Sequence, residues 1–132
     1  MTITVISLRG GQPLPPGTVY VGRRVLRRAI ERSPLANPQR LTRKATPEER
    51  RASIDSYRRW LGFMVRAGSN PAYHEFMRLV ELARRGDLIL ACWCAPAPCH
   101  ADVIRDMIEA RLRLDAEAER VNAAIRAAQE DA

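Results

Sequence analysis

Within Leu88–His100, read as LILACWCAPAPCH, nine residues hold all three cysteines of the chain and one of its two histidines. Thiol and imidazole at this density admit three kinds of chemistry. Cys92, Cys94, Cys99 and His100 offer up to four soft ligands of the type zinc takes. Alternatively, Cys99 serves as a nucleophile and His100 as a general acid or base beside a bound substrate. In the third case the cysteines are packing residues at a proline turn, as buried cysteines often are, and His100 caps a helix. A structural zinc site usually joins two separated ligand pairs, whereas adjacent residues 99 and 100 seldom aim at one ion. The spacing alone leaves the three open.

The elements around the cluster must position it. The run Leu88–Cys92 is apolar on both faces, which predicts a central strand with helices on both sides. On a continuous strand Cys92 and Cys94 face one side and Trp93 points the other way, into the core. Ala95-Pro96-Ala97-Pro98 turns the chain. Cys99 and His100 then open a helix, where the first N–H groups and the helix dipole favour an anion or a thiolate. Asp102, on the same first turn, either orients His100 or caps the helix. Ligands of open α/β sheets bind beyond the carboxyl ends of strands, and this stretch sits at such an end.

Upstream, Thr2–Leu8 reads as a strand, and Gly10-Gly11 with Pro13–Gly17 breaks it. TVYV, Thr18–Val21, is a second short strand. Arg23–Ile30 reads as a short helix or an irregular basic segment, and Ser33–Pro38 (SPLANP) as loop. Thr46-Pro47-Glu48-Glu49 is a helix start, with Thr as N-cap and Pro at the first helical position. That helix runs to about Ala67, and Pro71 opens another that ends near Gly86. The last helix carries the stripe Val103, Ile104, Met107, Ile108 and Leu112. Leu114, Ala118, Val121, Ile125 and Ala128 continue it at alternating spacings of four and three, an a/d seam of about two heptads.

These elements predict a single small Rossmann-like α/β domain of three layers, with a mostly parallel sheet and a long C-terminal helix. Residues 1–114 form the α/β domain and 115–132 a C-terminal helical extension. A length of 132 residues and 46% hydrophobic content suit one compact core. No apolar run approaches the roughly 20 residues of a membrane helix, and MTITVISLRG lacks the features of a signal peptide. The expectation is a soluble cytoplasmic protein without a membrane partner. Three closely spaced cysteines do not resemble a secreted disulfide framework.

Charge is concentrated. Residues 23–59 carry 12 Arg/Lys against four acids, a net +8, while the whole chain carries +7. Such a segment attracts phosphate, on a nucleotide or along a nucleic acid. The single lysine against 21 arginines also fits a GC-rich coding bias.

CWCAPAPCHADVI resembles the signature of an uncharacterised domain family common in bacteriophages and their bacterial hosts. Its members read roughly Cys-Trp-Cys-x-Pro-x-x-Cys-His-Gly/Ala-Asp after a hydrophobic strand. The family's Ser-x-x-Gly-Asn-Pro element corresponds to Ser33–Pro38 here, its strand ending in Gly-Arg to Tyr20–Arg23, and its aromatic helix to SYRRWL, Ser56–Leu61. The resemblance spans about residues 3–112. This chain departs at Ala36 (Gly in the family pattern), at Gln39 (an aromatic) and at Ala101 (Gly). The resemblance implies an α/β fold but no established reaction.

Two functions follow as expectations. The first is a small phage- or mobile-element-type protein that binds or modifies a nucleotide or nucleobase. Cys94, Cys99 and His100 would line its pocket, with Arg23, Ser33 and Asn37 reaching in from the other loop. Arg offers a two-pronged fork for phosphate, and Asn reads a base edge or holds a turn before Pro38. The second is a nucleic-acid- or protein-binding module that uses residues 23–59, with the Cys/His cluster structural or zinc-binding. A homodimer through the C-terminal helix is a further expectation.

Overall fold

The computed structural model describes residues 2–42, 44–93 and 99–131. The expectations placed on Cys94 and on the Ala95–Pro98 turn lie outside them. Three parallel strands, β1 (Ile3–Ser7), β2 (Val19–Tyr20) and β3 (Leu88–Cys92), form a sheet in the order β1-β3-β2. Three helices follow the sequence starts closely: α1 (Pro47–Ala67), α2 (Pro71–Arg85) and α3 (His100–Glu130). The chain is therefore a small α/β domain with a long C-terminal helix.

Local chemistry explains the boundaries. The Thr46 hydroxyl accepts from the Glu49 N–H at 3.1 Å while the Glu49 carboxylate accepts from the Thr46 N–H at 3.3 Å. This reciprocal box satisfies two donors at the start of α1. Gly68, at φ +71°, ends the helix in the left-handed region that glycine tolerates. Asn70 then does two things: its Oδ1 accepts from the Tyr73 N–H at 2.8 Å, and its Nδ2 donates to the Met64 carbonyl at 2.9 Å. It caps the start of α2 and closes the end of α1 with one side chain.

β3 is the middle strand, and its two faces pack differently. Leu88, Leu90 and Cys92 join Tyr57 and Leu61 of α1, Phe76 and Leu79 of α2, and Val103, Ile104 and Ile108 of α3 in the main core. Each fully buried Leu or Ile there contributes about 1.5–3 kcal/mol through burial. Ala91, on the other face, packs with Leu8, Val25 and Ile30. That third layer is not a full helix: it holds a 3-10 turn at Leu26–Arg28, clasped by an antiparallel bridge between Val25 and Ile30. Arg23–Ile30 is thus largely irregular, and Ala29 lies at φ +52° at its tip. No helix among the described residues is long and apolar enough to cross a membrane.

α3 extends over 31 residues, about 46 Å at 1.5 Å per residue. Its first half is held in the core. From Ala116 onward every described residue is exposed.

Candidate functional site

Beyond the carboxyl ends of β2 and β3 lies a pocket of about 200 Å³. Four segments build it. The end of β2 brings Tyr20, Gly22 and Arg23, the following loop Asn37 and residues 39–41, α1 Arg50 and Ile54, and the β3-to-α3 region Trp93, Cys99 and His100. Arg50 and Ile54 stand four apart, so they share one helix face.

His100 is the first residue of α3 and is 8% exposed. Its Nε2 lies 2.6 Å from the Val21 carbonyl oxygen. A carbonyl only accepts, so Nε2 carries the proton and donates; the neutral ring then has its lone pair on Nδ1. The ring also meets the Tyr57 ring edge-on, with centroids 5.1 Å apart. Tyr57 in turn donates to the Leu35 carbonyl at 2.7 Å. Burial first, and the Cys99 sulfur second, push the Tyr57 hydroxyl far above its ordinary pKa. It stays a neutral donor and anchors the 33–38 loop against α1.

Cys99 caps α3. Its sulfur accepts from the Ala101 N–H at 3.3 Å, and its own N–H donates to the Asp102 carboxylate at 3.0 Å. Asp102 therefore acts as a cap, with Arg105 3.6 Å away. Cys92, at the end of β3, holds its Sγ 3.0 Å from that of Cys99. Two thiolates about 2.3 Å from one tetrahedral zinc would stand roughly 3.7–3.8 Å apart. Among the described residues no group of three or more His, Cys, Asp or Glu is placed to hold a metal ion. Cys94, the remaining candidate ligand, lies outside them.

The loop residues divide. Arg23 donates from Nη2 to the carbonyls of Asn37 (2.9 Å) and Pro38 (3.1 Å). Burial, then the charges of Arg32 and Arg40, hold its guanidinium below the ordinary value. Asn37 donates to the Ser53 hydroxyl at 3.1 Å and accepts from the Gln39 N–H at 3.0 Å. It shapes the turn while still lining the pocket. Ser33 is not a wall of this pocket. Its hydroxyl accepts from the Leu35 N–H at 3.0 Å, and it lines a separate, open groove beside β2 and α2.

The structure thus brings Arg23, Asn37, Cys99 and His100 together and sets Ser33, Cys92 and Asp102 behind or beside them. Sequence reasoning missed Tyr20, Gln39, Arg40, Leu41, Arg50 and Ile54. It placed Trp93 on the face opposite the cysteines, in the core. Trp93 does point away from Cys92 and pack against the second cluster, but it stays half-buried and forms a pocket wall. A usable signal existed for two of the missed residues, because Arg40 and Arg50 belong to the basic segment.

A family model described as Domain of unknown function (DUF4326) matches residues 6–110. No curated protein and no solved structure matches the chain.

Proposed function

Because the chain belongs to the DUF4326 family, whose description assigns no activity, we propose a function from the pocket itself: the protein binds, and at Cys99 and His100 modifies, a nucleotide or nucleobase. One observation carries this. The pocket lining combines three arginines and a histidine with Trp93 and Tyr20, and among the described residues it includes no carboxylate. Such a surface suits an anionic ligand with a flat ring. His100, whose Nε2 donates to the Val21 carbonyl, would be the general acid or base. Cys99, at the N-terminus of α3, would be the nucleophile, where the helix dipole favours a thiolate. Reduced thiols suit a cytoplasmic setting, and the phage- or mobile-element origin rests on the sequence resemblance.

Ligand-observed NMR with nucleobases, nucleosides and nucleotides tests this reading. Saturation transfer to at least one of them, lost on Trp93→Ala, is the expected result. No transfer to any member of the panel would overturn it.

The exposure of Arg24, Arg27, Arg51, Arg58 and Arg59 favours a second reading, in which residues 23–59 bind a nucleic acid and the Cys/His cluster is structural or holds zinc. Binding that weakens steeply with salt would mark it. Native mass spectrometry of reduced protein purified without chelator would show a zinc mass, lost on Cys94→Ser or Cys99→Ser. The C-terminal half of α3, with Leu114, Val121 and Ile125 at 68%, 48% and 51% exposure, supports a homodimer.

A further inference from the structure

We infer that Arg40 and Arg50 form a phosphomonoester subsite, so that the ligand of the pocket is a nucleoside monophosphate; this rests on the small-ligand reading above. The sequence pointed to Arg23 for phosphate. In the folded chain, however, Arg23 directs Nη2 at two loop carbonyls, and its work there is to hold the turn at Asn37–Pro38. Arg40 and Arg50 are different. Among the described residues neither guanidinium has a carboxylate or carbonyl partner, which is equally true of exposed arginines such as Arg58 and Arg126; what sets Arg40 and Arg50 apart is that both line the pocket.

Two arginines in one concave site, with a third nearby and no acid among the described lining residues, repel one another. Burial first, and the charges of Arg32 and Arg40 after it, depress Arg23. An arrangement of that kind is relieved by an anion, and a dianionic phosphate meets two forks with paired N–H···O bonds. Leu41, Ile54 and the Trp93 ring add apolar surface to the same lining, which suits the flat face of a base.

Size separates the candidates. The pocket encloses about 200 Å³, below the range of about 300–1,000 Å³ that drug-sized ligands fill. One nucleotide unit, with its phosphate at the rim beside the exposed Arg40, matches this better than a dinucleotide.

The test is isothermal titration calorimetry on the full chain with reduced thiols in phosphate-free buffer. The titrants are the four ribonucleoside 5′-monophosphates, the matched nucleosides and inorganic phosphate. The proteins are the wild type, Arg40→Ala/Arg50→Ala and Arg51→Ala, the last an exposed neighbour outside the pocket. At least one monophosphate binds the wild type, and its nucleoside binds roughly tenfold or more weaker, as the loss of charge-assisted bonds requires. The double variant abolishes that difference and leaves nucleoside binding intact, and Arg51→Ala changes neither. Arg40 is exposed and Arg50 half-buried, and among the described residues neither is paired, so the variants fold, which circular dichroism checks.

Equal affinity for nucleoside and monophosphate overturns the subsite and leaves the pocket reading standing. So does monophosphate binding that ignores the double variant. If no nucleoside or nucleotide binds, both fail. Binding of a single-stranded oligonucleotide alone, with steep salt dependence, also overturns both, in favour of a nucleic-acid interface.

Discussion

The Sγ atoms of Cys92 and Cys99 lie 3.0 Å apart, joining the last residue of β3 to the cap of α3. Both are buried thiols with no disulfide between them. A disulfide needs the sulfurs at about 2.05 Å, about 1 Å closer than they stand here. Treatment with diamide, which takes two electrons and two protons from the pair, is expected to link Cys92 to Cys99 and lower the mass by two hydrogens. Non-reducing peptide mapping reads the pairing, and Cys94→Ser should retain it. A map in which every cross-link runs to Cys94 would refute the expectation.

His100 should matter for stability as well as for any chemistry. Its Nε2 is the donor to the Val21 carbonyl at 2.6 Å, and its ring abuts Tyr57. His100→Ala removes that donor in a buried setting and leaves a small cavity. The expected loss is about 2–4 kcal/mol, the sum of an unsatisfied carbonyl and missing packing. Urea unfolding measures it. A change within about 0.5 kcal/mol, ordinary for surface positions, would mean that the Val21 bond contributes little.

Helix starts and strand identities were the legible part of the sequence. Thr46-Pro47 and Asn70-Pro71 announce α1 and α2 through side chains that bond to their own backbone, so three or four neighbouring residues specify them. Leu88–Cys92 is a central strand because both its faces are apolar. The site was legible only where it is local. Cys99 and His100 fall at a strand-to-helix junction that one stretch of sequence encodes. Arg40, Arg50 and Ile54 reach the same pocket through the packing of α1 against α3 and the path of the 33–42 loop, which no short-range pattern records. Ser33 was misplaced for a related reason. In a loop of two prolines its hydroxyl has a backbone N–H two residues on as a ready partner, and that local bond wins.

Gly22 lines the pocket with no room for a side chain. A Cβ built there would stand 2.4 Å from the Tyr20 hydroxyl oxygen, because the Tyr20 ring folds over Gly22 to donate to the Arg23 carbonyl at 2.6 Å. Gly22→Ala must push Tyr20 aside and break that bond. The expected cost is about 1–3 kcal/mol, typical of overpacking, together with weaker binding of any ligand in the pocket. Thermal unfolding and the calorimetry above check both parts. Unchanged stability and unchanged binding would show that Tyr20 moves freely.

Asp87 gives the fold a pH dependence with a defined sign. Its carboxylate accepts from the Thr2 N–H at 2.9 Å and from the Thr2 hydroxyl at 3.1 Å. The backbone bond first, and the hydroxyl bond second, hold it below the usual carboxylate pKa. A carboxyl depressed in the folded state adds stability that is fully present above the unfolded pKa. That stability is lost as the pH falls through the folded value. Urea midpoints should therefore drop between about pH 5 and about pH 3, and Asp87→Asn should drop less. Asp115 is lowered as well, chiefly by Arg84, so the readout is the difference between wild type and variant. Parallel curves would remove Asp87 from the account.

The far half of α3 is where a second copy of the chain would act. Asp115 is the last residue tied to the rest of the domain, through Arg84 at 2.6 Å. Beyond it Ala118, Val121, Ile125 and Ala128 continue the spacing of four and three, and among the described residues no element covers them. Isolated helices of this length are marginal in water, and pairing two such stripes would bury Leu114, Val121 and Ile125 on each side. Val121→Glu/Ile125→Glu is expected to turn a concentration-dependent dimer into a monomer in sizing with light scattering. The domain's unfolding temperature should change little, since residues 116–131 contribute nothing to its core. A wild-type chain that stays monomeric at high micromolar concentration removes the dimer. So does a double variant that elutes unchanged, because two carboxylates in a dry seam of only two heptads leave it too little apolar surface to persist.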